Sequence, residues 1–182
     1  MSIKKDTFLK ALQVVLCILF IDICIEAGGF IFNTFFILVI NPVDANKFWA
    51  EVNLSELYNY NQSYFITVTS LMIIVALMRP VMFYIIAKIF HHKILNLLQP
   101  FNETVRHFIL KTAYLALGIG FLSFWGAKYI QDLVNQGMQM PDLQHLRLGG
   151  ADVWLFMAVI LFGIAQIFKK GIEIQNENDL TV

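Results

Sequence analysis

The feature that most constrains this chain is a recurrence of apolar stretches about 20 residues long, each enough to cross a hydrocarbon core of about 30 Å as a helix. Four are read, at residues 8–27, 64–87, 111–129 and 152–168. A soluble domain must cover itself with polar side chains, whereas here 58% of the residues are hydrophobic, only 14% are charged, and mean hydropathy is +0.67. The expected fold is therefore an all-α membrane protein, a single transmembrane domain of four helices over residues 1–182. The first stretch does not read as a cleaved signal, because it holds two acids and no small-residue cleavage pattern closes it.

Cations are spread unevenly around these stretches. Lys4, Lys5 and Lys10 stand before or at the start of the first, Lys88, Lys93, Arg106 and Lys111 lie between the second and third or at the edge of the third, and Lys169 and Lys170 follow the fourth. The other two loops hold only Lys47, Lys128 and Arg147, accompanied by acids. The positive-inside rule then puts both termini in the cytoplasm, with Trp49, Trp125 and Trp154 near the outer interface.

The apolar run from Phe8 to Ile40 would be about 50 Å long as one helix, too long for a single crossing. Gly28 and Gly29 are the expected end of the first span. Residues 28–63 are expected to form a small extracytoplasmic hairpin or cap, with "KFWAEVNLSEL" read as a returning strand and a protruding helix as the alternative. Asn53-Leu54-Ser55 and Asn61-Gln62-Ser63 match a glycosylation pattern too common to carry weight. Before the third span Pro100 breaks the chain, and Asn102 is expected to cap a helix starting at Glu103. Along that span Ala113, Ala116, Gly120, Ser123 and Ala127 recur at steps of three and four. Such a stripe lets another helix backbone approach closely; helix packing is the expected use, and a substrate path along it is the alternative.

Asp22 and Glu26 stand one turn apart, about 18 and 24 Å above Lys10. Charges at such depth are costly and normally find a partner inside the protein. Arg79 is the single cation more than two residues inside a span, about 13 Å from Lys88. An Arg79–Asp22 pair, with Glu26 as second acceptor or protonated, is the expected arrangement. Pro80 beside it removes a backbone donor, so a hinge or the floor of a polar cavity is a second use for this position. A proton- or ion-coupled site, or Arg79 reaching inward while the acids face a watery cavity, are the competing readings. Gln166 is a further candidate partner.

No catalytic motif is found: there is no Gly-x-Ser-x-Gly, His-Glu-x-x-His or glycine-rich phosphate loop. The four histidines lack metal-ligand spacing, and Cys17 and Cys24 read as small buried hydrophobes. Formal net charge is zero, so no basic field points to direct nucleic-acid binding. The expectation is a non-enzymatic membrane protein without metal or cofactor.

The chain ends in a basic pair, Gly171, and then Glu177-Asn178-Asp179-Leu180-Thr181-Val182. This ending resembles the bacterial membrane family catalogued as domain of unknown function 2975, as do "LLQPFNETV" and the four-span layout with a longer first outer loop. Members of that family are often encoded beside a very small helix-turn-helix DNA-binding protein. The resemblance thus implies a membrane partner that holds or releases a transcription regulator. On that reading the tail, residues 169–182, is the docking segment, with Gly171, Glu173, Glu177, Asn178, Asp179 and Leu180 as its candidate residues. Asp22, Glu26 and Arg79 match no motif of the family. Three functions follow as alternatives: a regulatory interaction protein, a small transporter using the Asp/Glu/Arg cluster, and a structural subunit of a membrane complex. Partners are the lipid bilayer, the small regulator and, as a further candidate, a homo-oligomer.

Overall fold

The computed structural model describes residues 2–50, 52–91 and 101–179, with side chains for 14–50, 52–88 and 101–178. It consists of helices α1 (Ser2–Val39), α2 (Ser55–Tyr60), α3 (Gln62–His91), α4 (Glu103–Asn135) and α5 (Ala151–Asp179), with a 3-10 helix at Pro42–Lys47. Four of them, α1, α3, α4 and α5, are long and apolar enough to cross a membrane. The start of α1 and the end of α5 therefore lie at one end of the molecule, called here the terminal end. The opposite end carries the segment between α1 and α3, called the cap.

The long helices are not closed into a ring. α1 packs on α3, α3 on α4 and α4 on α5, and among the described residues α1 reaches neither α4 nor α5. The result is a row of two antiparallel pairs joined by the α3–α4 contact. Between α3 and α5, floored by α4, an apolar cleft of about 450 Å³ stays open, lined by Met82, Ile86, Thr112, Ala116, Trp154 and Leu161 among others. The main core lies towards the cap. Phe30 and Ile37 of α1, Phe48, Leu54 and Leu57 of the cap, Phe65 and Met72 of α3, and Leu146 and Leu148 of the α4–α5 loop are all buried there.

The cap differs from the expected hairpin. α1 does not stop at Gly28–Gly29 but runs on to Val39. Gly29 serves close packing instead: any Cβ at this position would collide with the Trp49 ring. No strand forms among the described residues, and only an isolated bridge joins Trp49 to Val52. The segment is closed by local hydrogen bonds, with Leu54 N donating to Ala45 O at 2.8 Å and Phe48 N to Val52 O at 3.0 Å. The two Asn-x-Ser sites are turn formers. Asn53 Oδ1 accepts from Ser55 N at 2.9 Å, and Asn61 Oδ1 from Ser63 N at 2.7 Å. Aromatic rings fill the space beneath, with Phe30 and Phe48 centroids 5.8 Å apart and Phe48 and Phe65 6.2 Å apart.

At the terminal end, Asn102 caps α4 as expected, its Oδ1 accepting from Val105 N at 2.9 Å. α5 continues past Lys169–Lys170 and Gly171 without a break to Asp179.

Candidate functional site

Two charged residues of the spans, Glu26 and Arg79, meet through a residue that the sequence reading left in a loop. Arg147 lies in the α4–α5 connection, between Leu146 and Leu148, and both leucines are fully buried. They draw the loop into the cap end of the row, Leu148 packing into the space left by Gly126 on α4. Arg147 Nε donates to Glu26 Oε1 at 2.5 Å. Arg79 Nη2 donates to the Arg147 carbonyl oxygen at 2.7 Å. Glu26 on α1, Arg79 on α3 and the loop are thereby tied into one polar unit.

The expected Arg79–Asp22 pair does not form. Asp22 is exposed on α1, with no hydrogen bond or ion pair among the described residues. The geometric reason is rotation: residues follow at about 100° around a helix, so Asp22 is turned further from the α3-facing side than Glu26. Arg79 extends towards the loop and spends its guanidinium on a carbonyl, while its Nε is buried without a partner. Pro80 is buried within an unbroken α3. Cys17 is exposed rather than buried, and Cys24 is half-buried.

The local chain explains why Arg147 can reach in. Residues 142–149 form one helical turn closed by a Schellman motif: Leu148 N donates to Leu143 O at 3.0 Å, and Arg147 N to Gln144 O at 3.1 Å. Arg147 holds the left-handed position of that motif, at φ +59°. The same motif ends α4, where Met138 N donates to Leu133 O and Gly137 N to Val134 O. There the left-handed position is a glycine, at φ +92°. Placing a β-carbon in this conformation costs about 1 kcal/mol. Arginine therefore occupies a glycine position, and the gain is the contact with Glu26. The sequence signal was present in "LRLGG", a cation between two large apolar residues, which can be solvated and buried at once only by a dipping loop.

The other candidate residues fall in two places. On α4, Ala113, Ala116, Gly120 and Ser123 are buried and Ala127 half-buried. A side chain at Gly120 would run into Leu155 of α5, so this position brings the two backbones close. In the tail, Gly171 lies under the Phe101 ring, 2.5 Å from where a Cβ would stand. Phe101 also packs on Phe168, with ring centroids 5.3 Å apart. Lys170 Nζ pairs with Glu173 Oε2 at 3.2 Å, and Glu177 and Asn178 are both engaged in interactions. Asp179 ends the helix; Leu180 and the two residues after it lie outside the described residues, as do residues 97–100 of "LLQPFNETV". A shallow groove of about 540 Å³ runs between Phe101 and the tail, lined by Ile167, Lys170, Ile174, Gln175 and Asn178. Among the described residues no group of histidines, cysteines and acids is placed to hold a metal ion.

The family model described as "Protein of unknown function (DUF2975)" matches residues 49–182, which takes in everything from the cap's Trp49 to the tail. The chain belongs to the DUF2975 family. Neither a curated protein nor a solved structure matches it. The DUF2975 match contains Arg79, Arg147 and the Phe101–Gly171 contact but begins after α1, so Glu26 and Asp22 fall outside it.

Proposed function

We propose that this DUF2975 protein is a regulatory interaction protein of a bacterial inner membrane, which holds a small helix-turn-helix DNA-binding protein at its cytoplasmic end and carries out no chemistry of its own. The observation that supports this most is the continuity of α5 from Ala151 to Asp179. Span and tail are one helix, so a change in how α5 sits in the membrane moves the docking residues directly. The Phe101 ring over Gly171 couples the segment before α4 to the same helix. The groove beside it offers Ile167 and Ile174 to an apolar face of a partner, and Glu173 and Glu177 lie on the same helix for its basic side chains. Lysines at the terminal end favour a cytoplasmic orientation for this surface.

The test is affinity purification from native membranes of the full chain beside one truncated after Phe168, with bound proteins identified by mass spectrometry. Capture of a small DNA-binding protein by the full chain alone is the expected result. Identical companions for both forms, or none, would remove the tail as the docking site. The orientation is checked separately: a reporter active only in the periplasm, fused after Val182, is expected to stay silent.

A further inference from the structure

The cap end of the cleft between α3 and α5 holds more positive charge than the chain neutralises. Arg79 stands one turn nearer the cap than Met82 and two turns nearer than Ile86. Both of those residues line the cleft, and at this spacing all three share one face of α3. Arg79 Nη2 donates to the carbonyl oxygen of Arg147, just before α5 begins at Ala151. The side chain thus reaches from α3 to the entry of α5, across the cap end of the cleft.

A guanidinium carries five N–H donors. Among the described residues Arg79 uses Nη2 alone and Arg147 uses Nε alone, while Arg79 Nε is buried without a partner. Arg79 itself is half-buried rather than sealed in. Arg147 and Glu26 are the charged groups that act on it. Two cations and a single carboxylate leave one positive charge over, at a residue inside the span Gln62–Lys88. Asp22 does not supply the missing anion, since it is exposed on α1 and joins no ion pair among the described residues. Charge at such depth is costly and normally paired. Water can accept the free hydrogen bonds, but it cannot cancel the charge.

The space on the terminal side of Arg79 has the opposite character. Its lining is apolar apart from Thr112, whose hydroxyl is already bound to the Phe108 carbonyl at 3.0 Å. Its 450 Å³ falls within the usual size of small-molecule sites, about 300–1,000 Å³. Along α4 the lining runs from Val105 to Ala116, about 16 Å of helix. A cation at one end and hydrocarbon along the length match a molecule that is anionic at its head and apolar behind it.

We infer that the cleft binds a fatty carboxylate, with its carboxylate against the Arg79 guanidinium and its chain along the apolar lining. The occupant's charge balances what Glu26 leaves over, and a guanidinium suits the two oxygens of a carboxylate. A neutral chain would fill the cleft and leave the arginine unpaired. A small free anion would pair the arginine and leave the cleft unfilled. The inference is independent of the regulatory reading, whose docking residues lie on the tail.

The test counts bound molecules by native mass spectrometry on the purified full chain in a non-ionic detergent. The probes are palmitate, hexadecanol and inorganic phosphate. One palmitate is expected to bind per chain, about tenfold more tightly than hexadecanol, because a charge-assisted hydrogen bond separates the two. Phosphate is expected to give no adduct over the same concentrations. Hexadecanol binding as tightly as palmitate would overturn the inference, and so would the lack of a one-to-one palmitate complex. Phosphate binding as tightly as palmitate would overturn it too, leaving a site for a free oxyanion. Glu26→Gln removes the competing acid and is expected to tighten palmitate binding several-fold; unchanged or weaker binding would contradict the placement of the carboxylate. Arg79→Gln, checked for folding by its melting temperature, is expected to weaken palmitate about tenfold while leaving hexadecanol unchanged.

Discussion

Arg147 shows how one side chain can decide the arrangement of several helices. Its partner Glu26 is only 16% exposed, while Arg147 itself is 48% exposed, so the pair is neither a surface bridge nor a fully dry one. Removing the arginine leaves a carboxylate with little water and no cation. Arg147→Leu is expected to lower stability in detergent by about 2 kcal/mol, between the values for exposed and buried pairs. Adding Glu26→Gln should recover part of that loss, and a double-mutant cycle by thermal melting measures the coupling. Arg147→Gly separates two effects, because it relieves the left-handed backbone while deleting the ion pair, and it should cost less than Arg147→Leu. Asp22→Asn, by contrast, touches no partner among the described residues and should leave the melting temperature of the chain unchanged or higher. None of this was visible in the arithmetic of helix rise. Depth along a helix follows from residue number, but Arg147 sits in a loop, where no such arithmetic applies.

At the level of elements, adjacent glycines turn out to have unlike roles. Gly28 and Gly29 looked like one helix end, yet α1 passes through both. Gly29→Ala is expected to displace the Trp49 ring and destabilise by about 1–3 kcal/mol through overpacking, with a shift in tryptophan fluorescence. Gly28→Ala should be neutral or stabilise the isolated chain by up to about 1 kcal/mol, since the position is open and alanine is the better helix former. The spans themselves were legible because apolar length is a local property of sequence. So was the Asn102 cap, which needs only its own next three residues. The cap's form was not legible, because aromatic and β-branched residues at 30–39 suit a strand as well as a helix that packs its inner side on Phe48 and Phe65. Tertiary contact decides between those outcomes, and a single sequence does not contain it.

At the scale of the whole molecule, the row of two helix pairs is held together at unequal depths. Towards the cap the pairs share a core and the Glu26–Arg147–Arg79 unit, whereas towards the terminal end an apolar cleft separates α3 from α5. Gly171→Leu should push Phe101 off the tail and raise proteolysis there, while the melting of the cap end stays as it was; limited proteolysis in nanodiscs reads both. The close approach of Gly120 to Leu155 puts a fulcrum near the cap end of α5. From Leu155 to Asp179 the helix is about 36 Å long, so a tilt of about 10° swings its far end through about 6 Å. A displacement too small to disturb packing beside Leu155 thus becomes, at the other end of a stiff rod, a step as large as one helical turn.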